Sequence, residues 1–293
     1  MTNRVLLAIA FTCAMLVPRS APATTNISSA SGQPPSSGPK PGAPWENSLG
    51  MKFVPVPGTN VLFCIWETRV QDYEAFVKAT GHNAGKGWRD PEAAINYAAG
   101  FSQTPLHPVV NVSWNDAVAF CRWLTEKERA EGKLSAGQEF RLPTDAEWSL
   151  AVGLPPEAGA TPEDKDGKIP NLYPWGTGYP PPSGSGNYSS EGDGWYANRP
   201  VKIDGYTDGA RFTARVGSYN ANRLGIYDMG GNVWEWCDDW FNAERKDRVV
   251  RGASFNQSAS SRLLSSHRAP SPSSRRDFNF GFRCVVTLGA SSP

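Results

Sequence analysis

From Pro155 to Asn222 the chain is rich in glycine, proline and aromatic residues and carries neither the 3.6-residue period of a helix nor the alternation of a strand. So long an irregular run inside a compact domain requires something other than backbone ladders to hold it, such as a bound ion or buried aromatic anchors. The whole composition leans the same way: 29 Gly, 25 Pro and 11 Trp in 293 residues point to a loop-rich fold and away from a long helical bundle. Directly after the run comes Leu224 to Trp240, LGIYDMGGNVWEWCDDW, which combines Trp, a Gly-Gly pair and carboxylates in a way neither a plain helix nor a plain strand calls for. The formal net charge of +1 supplies no electrostatic basis for a nucleic-acid partner.

The N-terminus reads as a secretory leader, residues 1–23. Arg4 precedes an apolar stretch from Val5 to Val17, and Ala21-Pro22-Ala23 gives a small-residue cleavage pattern. That stretch is shorter than the roughly 20 residues a membrane-spanning helix needs, so the expectation is a secreted or periplasmic protein without a membrane span after cleavage. Residues 24–45, rich in Ser, Gly and Pro, lack the apolar content to offset the entropy of ordering and read as a tether; residues 46–289 form one domain. Export permits disulfides. Of the five cysteines, Cys13 belongs to the leader, and Cys64, Cys121, Cys237 and Cys284 allow three pairings, among which spacing does not choose. No Cys-x-x-Cys or Cys/His cluster suggests zinc.

The first strand is expected around Met51 to Val56, at a sheet edge because Pro55 interrupts it, and a second at Val61 to Trp66. Val70, Tyr73, Phe76 and Val77 then share one helical face, which Gly81 ends. Ser113 and Asp116 form an approximate capping box for a helix whose apolar face is Ala117, Phe120, Cys121 and Leu124, and Thr144 to Glu147 is a full box for a third helix. Strands return at Val249 to Phe255 and Phe280 to Thr287.

Taken in order, NSLGMKFVPVPG, ETRVQDYEAFV, HPVVNVSWNDAVAFCRWL, RLPTDAEW, YPWG, LGIYDMGGNVWEWCDDW, RVVRGASF and FGFRCV resemble the formylglycine-generating enzyme, or sulfatase-modifying factor, family. The resemblance implies an α+β domain of the C-type-lectin-like group, loop-rich, with bound calcium. It also implies the ligands. One calcium site corresponds to Asn187, Tyr188, Asp208 and Ala210, the other to Asp228, Gly231, Val233 and Glu235, all offering the hard oxygen donors calcium prefers. A disulfide between Cys121 and Cys284 is implied as well, with Cys64 and Cys237 left to pair or stay free.

The active members of that family carry two copper-binding cysteines three and eight residues after the Ser of an Arg-Gly-Gly-Ser strand. Here Arg251-Gly252-Ala253-Ser254 is followed at those positions by Gln257 and Arg262. Cu(I) needs soft thiolates, which an amide and a guanidinium do not replace, so copper is not expected and no catalytic residue is assigned. His82, His107 and His267 form no iron-ligand motif, and the serines near His267 lack a nucleophile-elbow sequence. The expectation is a calcium-stabilised, noncatalytic recognition or structural module, a monomer, whose cleft is lined by Trp234, Ser254, Asn256, Gln257 and Arg262 and takes a peptide, protein or glycan. The alternative is an oxidoreductase related to formylglycine-generating enzyme that acts through a non-standard site.

Overall fold

The structure, a computed structural model, describes residues 38–85, 87–89, 103–190 and 202–289. The leader and most of the tether lie outside the described residues. The described chain begins earlier than the composition suggests, since the Pro39 carbonyl accepts a 2.9 Å bond from Gln138 Nε2.

Two sheets and a few helices organise the described chain. The first sheet has the order β1-β2-β3-β11-β4, from β1 (Trp45–Glu46), β2 (Lys52–Pro55), β3 (Val61–Cys64), β11 (Val285–Thr287) and β4 (Phe140–Arg141). The second runs β10-β7-β8-β9, from β10 (Phe280–Gly281), β7 (Trp234–Trp240), β8 (Asp247–Arg251) and β9 (Ala269–Pro272). The alternation of β3 explains its unbroken apolar sequence. Leu62 and Cys64 enter one hydrophobic cluster, and Val61 and Phe63 enter the other. The expected edge strand proves internal, because β1 pairs outside β2. Its register, Trp45 opposite Phe53 and Glu46 opposite Lys52, ends before Pro55, so the missing N–H falls beyond the ladder it would have broken. The predicted strand at Phe280 to Thr287 divides into β10, paired parallel to β7, and β11, paired with β3 and β4.

The helices follow their local signals. α1 (Val70–Thr80) ends at Gly81, whose φ of 69° places it in the left-handed region a glycine tolerates. α2 (Trp114–Ala130) and α3 (Asp145–Val152) begin on the capping boxes of Ser113–Asp116 and Thr144–Glu147. α1 and α2 pack through Tyr73, Phe76 and Phe120, and Phe282 meets the Phe120 ring edge-on at 5.4 Å. Between Pro155 and Asn222 the described residues hold only a four-residue helix α4 (Pro162–Lys165) and the pair β5 (Leu172–Tyr173) and β6 (Gly176–Thr177). Among the described residues no helix is long and apolar enough to cross a membrane.

Asp116 has a second task besides capping. Its carboxylate takes Arg276 Nε at 2.7 Å, Ser113 Oγ at 2.6 Å and His82 Nε2 at 2.8 Å. Burial pushes its pKa up, but the bonds from Arg276, Ser113 and His82 outweigh burial and bring it down to about 2. A carboxylate held below its unfolded value stabilises the fold above that value and loses the contribution as pH falls from about 4 to about 2. With Arg276 half exposed and screened by solvent, Asp116→Asn is expected to cost about 1–2 kcal/mol at pH 7, shrinking toward zero near pH 2. Urea titrations at the two pH values check it.

Candidate functional site: a polar cleft above buried carboxylates

The strand β7 positions the whole region. Its Trp234 faces a cleft, while Glu235 points into the interior and is completely buried. Glu235 Oε2 accepts from Arg283 Nε at 2.7 Å and from Trp148 Nε1 at 3.0 Å, and Oε1 accepts from Arg283 as well. Arg283 also bonds the carbonyls of Cys64, Tyr227 and Asp228. Burial works against the guanidinium charge, but Glu235 beside it more than compensates and pushes its pKa up.

Two further carboxylates share this interior. Asp228, at a φ of 54°, accepts the Gly217 N–H on Oδ2 at 2.7 Å, and its buried Oδ1 has no partner. Its pKa is raised to about 6, chiefly by burial, with Glu235 adding repulsion. Glu67 is fully buried; Oε2 accepts from Asn232 Nδ2 at 2.7 Å and Oε1 has no partner. Burial, then Asp228 and Glu235, raise its pKa well above the usual carboxylate range. Sequence reasoning missed Glu67, because nothing local to β3 and α1 marks it; its partners lie more than a hundred positions away.

Asn232 ties these groups to the irregular run. Its Oδ1 accepts from Asn187 Nδ2 at 3.0 Å and from the Ala214 N–H at 2.8 Å, and its own N–H donates to the Asn187 carbonyl. At the adjacent Gly231, φ is 83° and a Cβ would fall inside contact distance of that same carbonyl, so only glycine fits. Asn187 Oδ1 is buried without a partner, and Asp208 accepts the N–H groups of Tyr188 and Ala210, each at 2.9 Å.

Within the first expected set Asp208 bonds the N–H groups of Tyr188 and Ala210, and within the second Asp228 and Glu235 share one interior; each set contains an orphaned buried oxygen of the kind a hard cation satisfies, Asn187 Oδ1 in the first and Asp228 Oδ1 in the second. Glu235 fits less freely. A carboxylate has about four lone-pair sites, and its bonds to Arg283 and Trp148 leave room for one more ligand, on Oε1. Among the described residues no three His, Cys, Asp or Glu side chains converge on a metal position, so carbonyls such as those of Tyr188, Ala210, Gly231 and Val233 have to complete either shell.

Above this interior, a cleft of about 280 Å³ is lined by Trp234, Asn256, Gln257, Arg262, Arg275 and Asn279 among others. Ser254, expected beside them, lies fully buried beneath, donating to Asn256 Oδ1 at 2.8 Å and accepting from Asn279 Nδ2 at 3.1 Å. Asn279 was not foreseen. Trp234, at 4% exposure and edge-on to His267 at 5.7 Å, is a wall of the cleft. The two residues at the copper-cysteine positions touch: Arg262 donates to Gln257 Oε1 at 3.3 Å.

The cysteines depart from expectation in one respect. Cys121 and Cys284 meet with Sγ atoms 3.6 Å apart, but as thiols and not as a disulfide. Cys64 packs in the first hydrophobic cluster and Cys237 in the second, so these two do not pair.

Comparison with known proteins agrees with this architecture. The sulfatase-modifying factor enzyme 1-like domain matches residues 61–288. The formylglycine-generating enzyme of Streptomyces coelicolor is 34% identical over 222 residues, covering 69% of this chain and 58% of the relative. The inactive C-alpha-formylglycine-generating enzyme 2 of Bos taurus is 33% identical over 211 residues, covering 69% and 56%. The chain thus spans somewhat over half the length of these relatives. PvdO from Pseudomonas aeruginosa superposes with a TM-score of 0.58 at 19% identity, over 85% of this chain and all of that one. Its likeness, and the mixed, loop-rich architecture, establish an α+β fold of the C-type-lectin-like kind. A family match across both sheets, together with relatives above 30% identity, shows that this chain belongs to the sulfatase-modifying factor, or formylglycine-generating enzyme, family.

Proposed function

We propose that the protein is an exported, calcium-stabilised member of this family that recognises a ligand in the cleft beside Trp234 and does not carry out formylglycine chemistry. The observation that carries the reading is the pair at the copper positions. Gln257 and Arg262 present an amide and a guanidinium, bonded to one another, where Cu(I) would need two thiolates. All four cysteines among the described residues are buried away from the cleft, and burial raises the pKa of Cys64, Cys237 and Cys284, so these three supply no reactive thiolate in its place. The similarity to a relative named as inactive, the C-alpha-formylglycine-generating enzyme 2 of Bos taurus, is consistent with loss of chemistry on this fold. Export follows from the leader pattern of residues 1–23.

Calcium's part is structural. Asn187 Oδ1 and Asp228 Oδ1 would hold the ion, which would supply the positive charge that these unpartnered oxygens lack. Thermal melting in chelator, in calcium and in Cu(I) tests both halves of the reading. At a hundredfold excess over the dissociation constant a ligand adds about 2.7 kcal/mol, or about 5–10 °C in a domain of this size. Chelator is expected to lower the midpoint by that amount, calcium to restore it and Cu(I) to leave it unmoved. An unchanged midpoint in chelator removes the calcium assignments, and stabilisation by Cu(I) removes the noncatalytic argument.

A further inference from the structure

We infer that the cleft selects a peptide segment bearing an acidic side chain, with the Arg262 guanidinium taking the carboxylate and Asn279 Oδ1 accepting an N–H of the same segment. The inference rests on the proposed reading that the cleft binds a ligand, and it names the ligand's chemistry.

Three observations carry it. At the base of the cleft, Asn279 is 6% exposed, with both hydrogens of its amide engaged, on Ser254 Oγ at 3.1 Å and Asn256 Oδ1 at 3.0 Å; its Oδ1 has no partner. A buried acceptor left unpaired is costly, and the matching ligand group is a hydrogen-bond donor. At the rim, Arg262 is exposed, and among the described residues the hydrogen bonding of its guanidinium is limited to the 3.3 Å contact with Gln257. Most of its donor fork is left for a planar anion. The wall's other charges do not neutralise it. Arg275, stacked over Phe280, is already paired with Asp277 at 2.8 Å, so two guanidiniums and one carboxylate line the cleft and the uncompensated charge is positive.

Size and shape select among anions. A cavity of about 280 Å³ lies just below the range of pockets that enclose drug-sized molecules, so it admits one side chain with its adjoining backbone. A sugar ring would need an aromatic face to stack on. Trp234, buried and edge-on to His267, offers none, Phe280 is covered by Arg275, and Phe278 is packed at a tilt on Phe255 5.9 Å away. A peptide satisfies both poles at once, with a backbone N–H at Asn279 and an Asp or Glu carboxylate at Arg262.

The test is an array of capped peptides, each made in an Asp and an Asn form, together with uronate oligosaccharides, probed with the full chain and with Arg262→Gln. Arg262 is exposed, so the variant is expected to fold, and its melting curve verifies this. The expected result is that Asp peptides bind about tenfold more tightly than their Asn partners, as charge-assisted bonds exceed neutral ones. Arg262→Gln abolishes that difference. Equal binding of Asp and Asn forms overturns the acidic preference while the ligand-binding reading stands. Binding of uronates without peptides overturns the peptide assignment. Binding of nothing on the array overturns this inference and counts against the recognition reading itself.

Discussion

Arg283→Met is expected to be the most damaging single substitution in the described chain. It removes the one cationic side chain, among the described residues, that faces Glu235, Glu67 and Asp228 in a buried interior. Breaking a buried ion pair from one side costs about 3–5 kcal/mol, because the remaining charge has no compensation. That is a large share of the 5–15 kcal/mol that separates a folded domain from its unfolded chain. The carbonyls of Cys64, Tyr227 and Asp228 lose a donor at the same time. Urea unfolding should show a midpoint far below that of the parent, with low soluble yield at 37 °C. The double change Arg283→Met with Glu235→Gln should recover part of the loss, since it removes both charges of the pair. If the double variant is no better than the single one, the cost lies in packing and not in the stranded carboxylate.

Asp145→Ala is expected to cost nearly as much, through the opposite charge. Arg268 reaches Asp145 through Nε at 2.9 Å and Nη2 at 3.0 Å, and Arg251 reaches it through Nη1. Both guanidiniums are essentially unexposed. Arg268 keeps Glu157 as a second partner at 2.6 Å, whereas Arg251 retains neutral groups, Ser149, Ser265 and His267, and the face of Trp148 at 4.3 Å. The variant therefore leaves one buried guanidinium without a counter-ion, and a loss of about 3 kcal/mol is expected. Burial pushes the Asp145 pKa up, but Arg251 and Arg268 bring it down on balance. The parent's advantage over Asp145→Ala should thus hold above pH 4 and shrink as pH falls below it. A gap that stays constant into acid would show that the contribution is not ionic.

These two clusters mark the boundary of what was legible in the sequence. Capping boxes at Ser113 and Thr144 and the stop at Gly81 could be read because a cap acts within one turn of the chain. The order of motifs singled out Asn187 and Asp228, each of which carries a buried side-chain oxygen without a partner. By contrast, Arg283 is 48 positions from Glu235, and Arg251 is 106 from Asp145, and no spacing rule reports such pairs. The arginines between Arg262 and Arg283 divide accordingly. Arg268 and Arg283 are internal, Arg276 holds a helix cap, and Arg262 and Arg275 face the cleft. The edge assignment of β2 failed for a related reason, because a two-residue partner such as β1 leaves no periodic signal.

The irregular run that constrains the fold is held by side chains of the region after it. Asn232 clasps Asn187 and Ala214, and its carbonyl takes the Phe255 N–H at the edge of the cleft. The segment Leu224 to Trp240 thus joins the buried oxygens of Asn187 and Asp228 to the cleft beside Trp234, and its Asp228 and Glu235 face Arg283 in the interior.

The central claim is that this family fold acts here without the family's oxidation chemistry. Its most direct test is to incubate the purified full chain with Cu(I), oxygen, a thiol reductant and a sulfatase-type cysteine peptide, and to follow the peptide by mass spectrometry. The account predicts that no aldehyde forms and that the cysteine is recovered intact; formylglycine accumulating with time and in proportion to protein would contradict it.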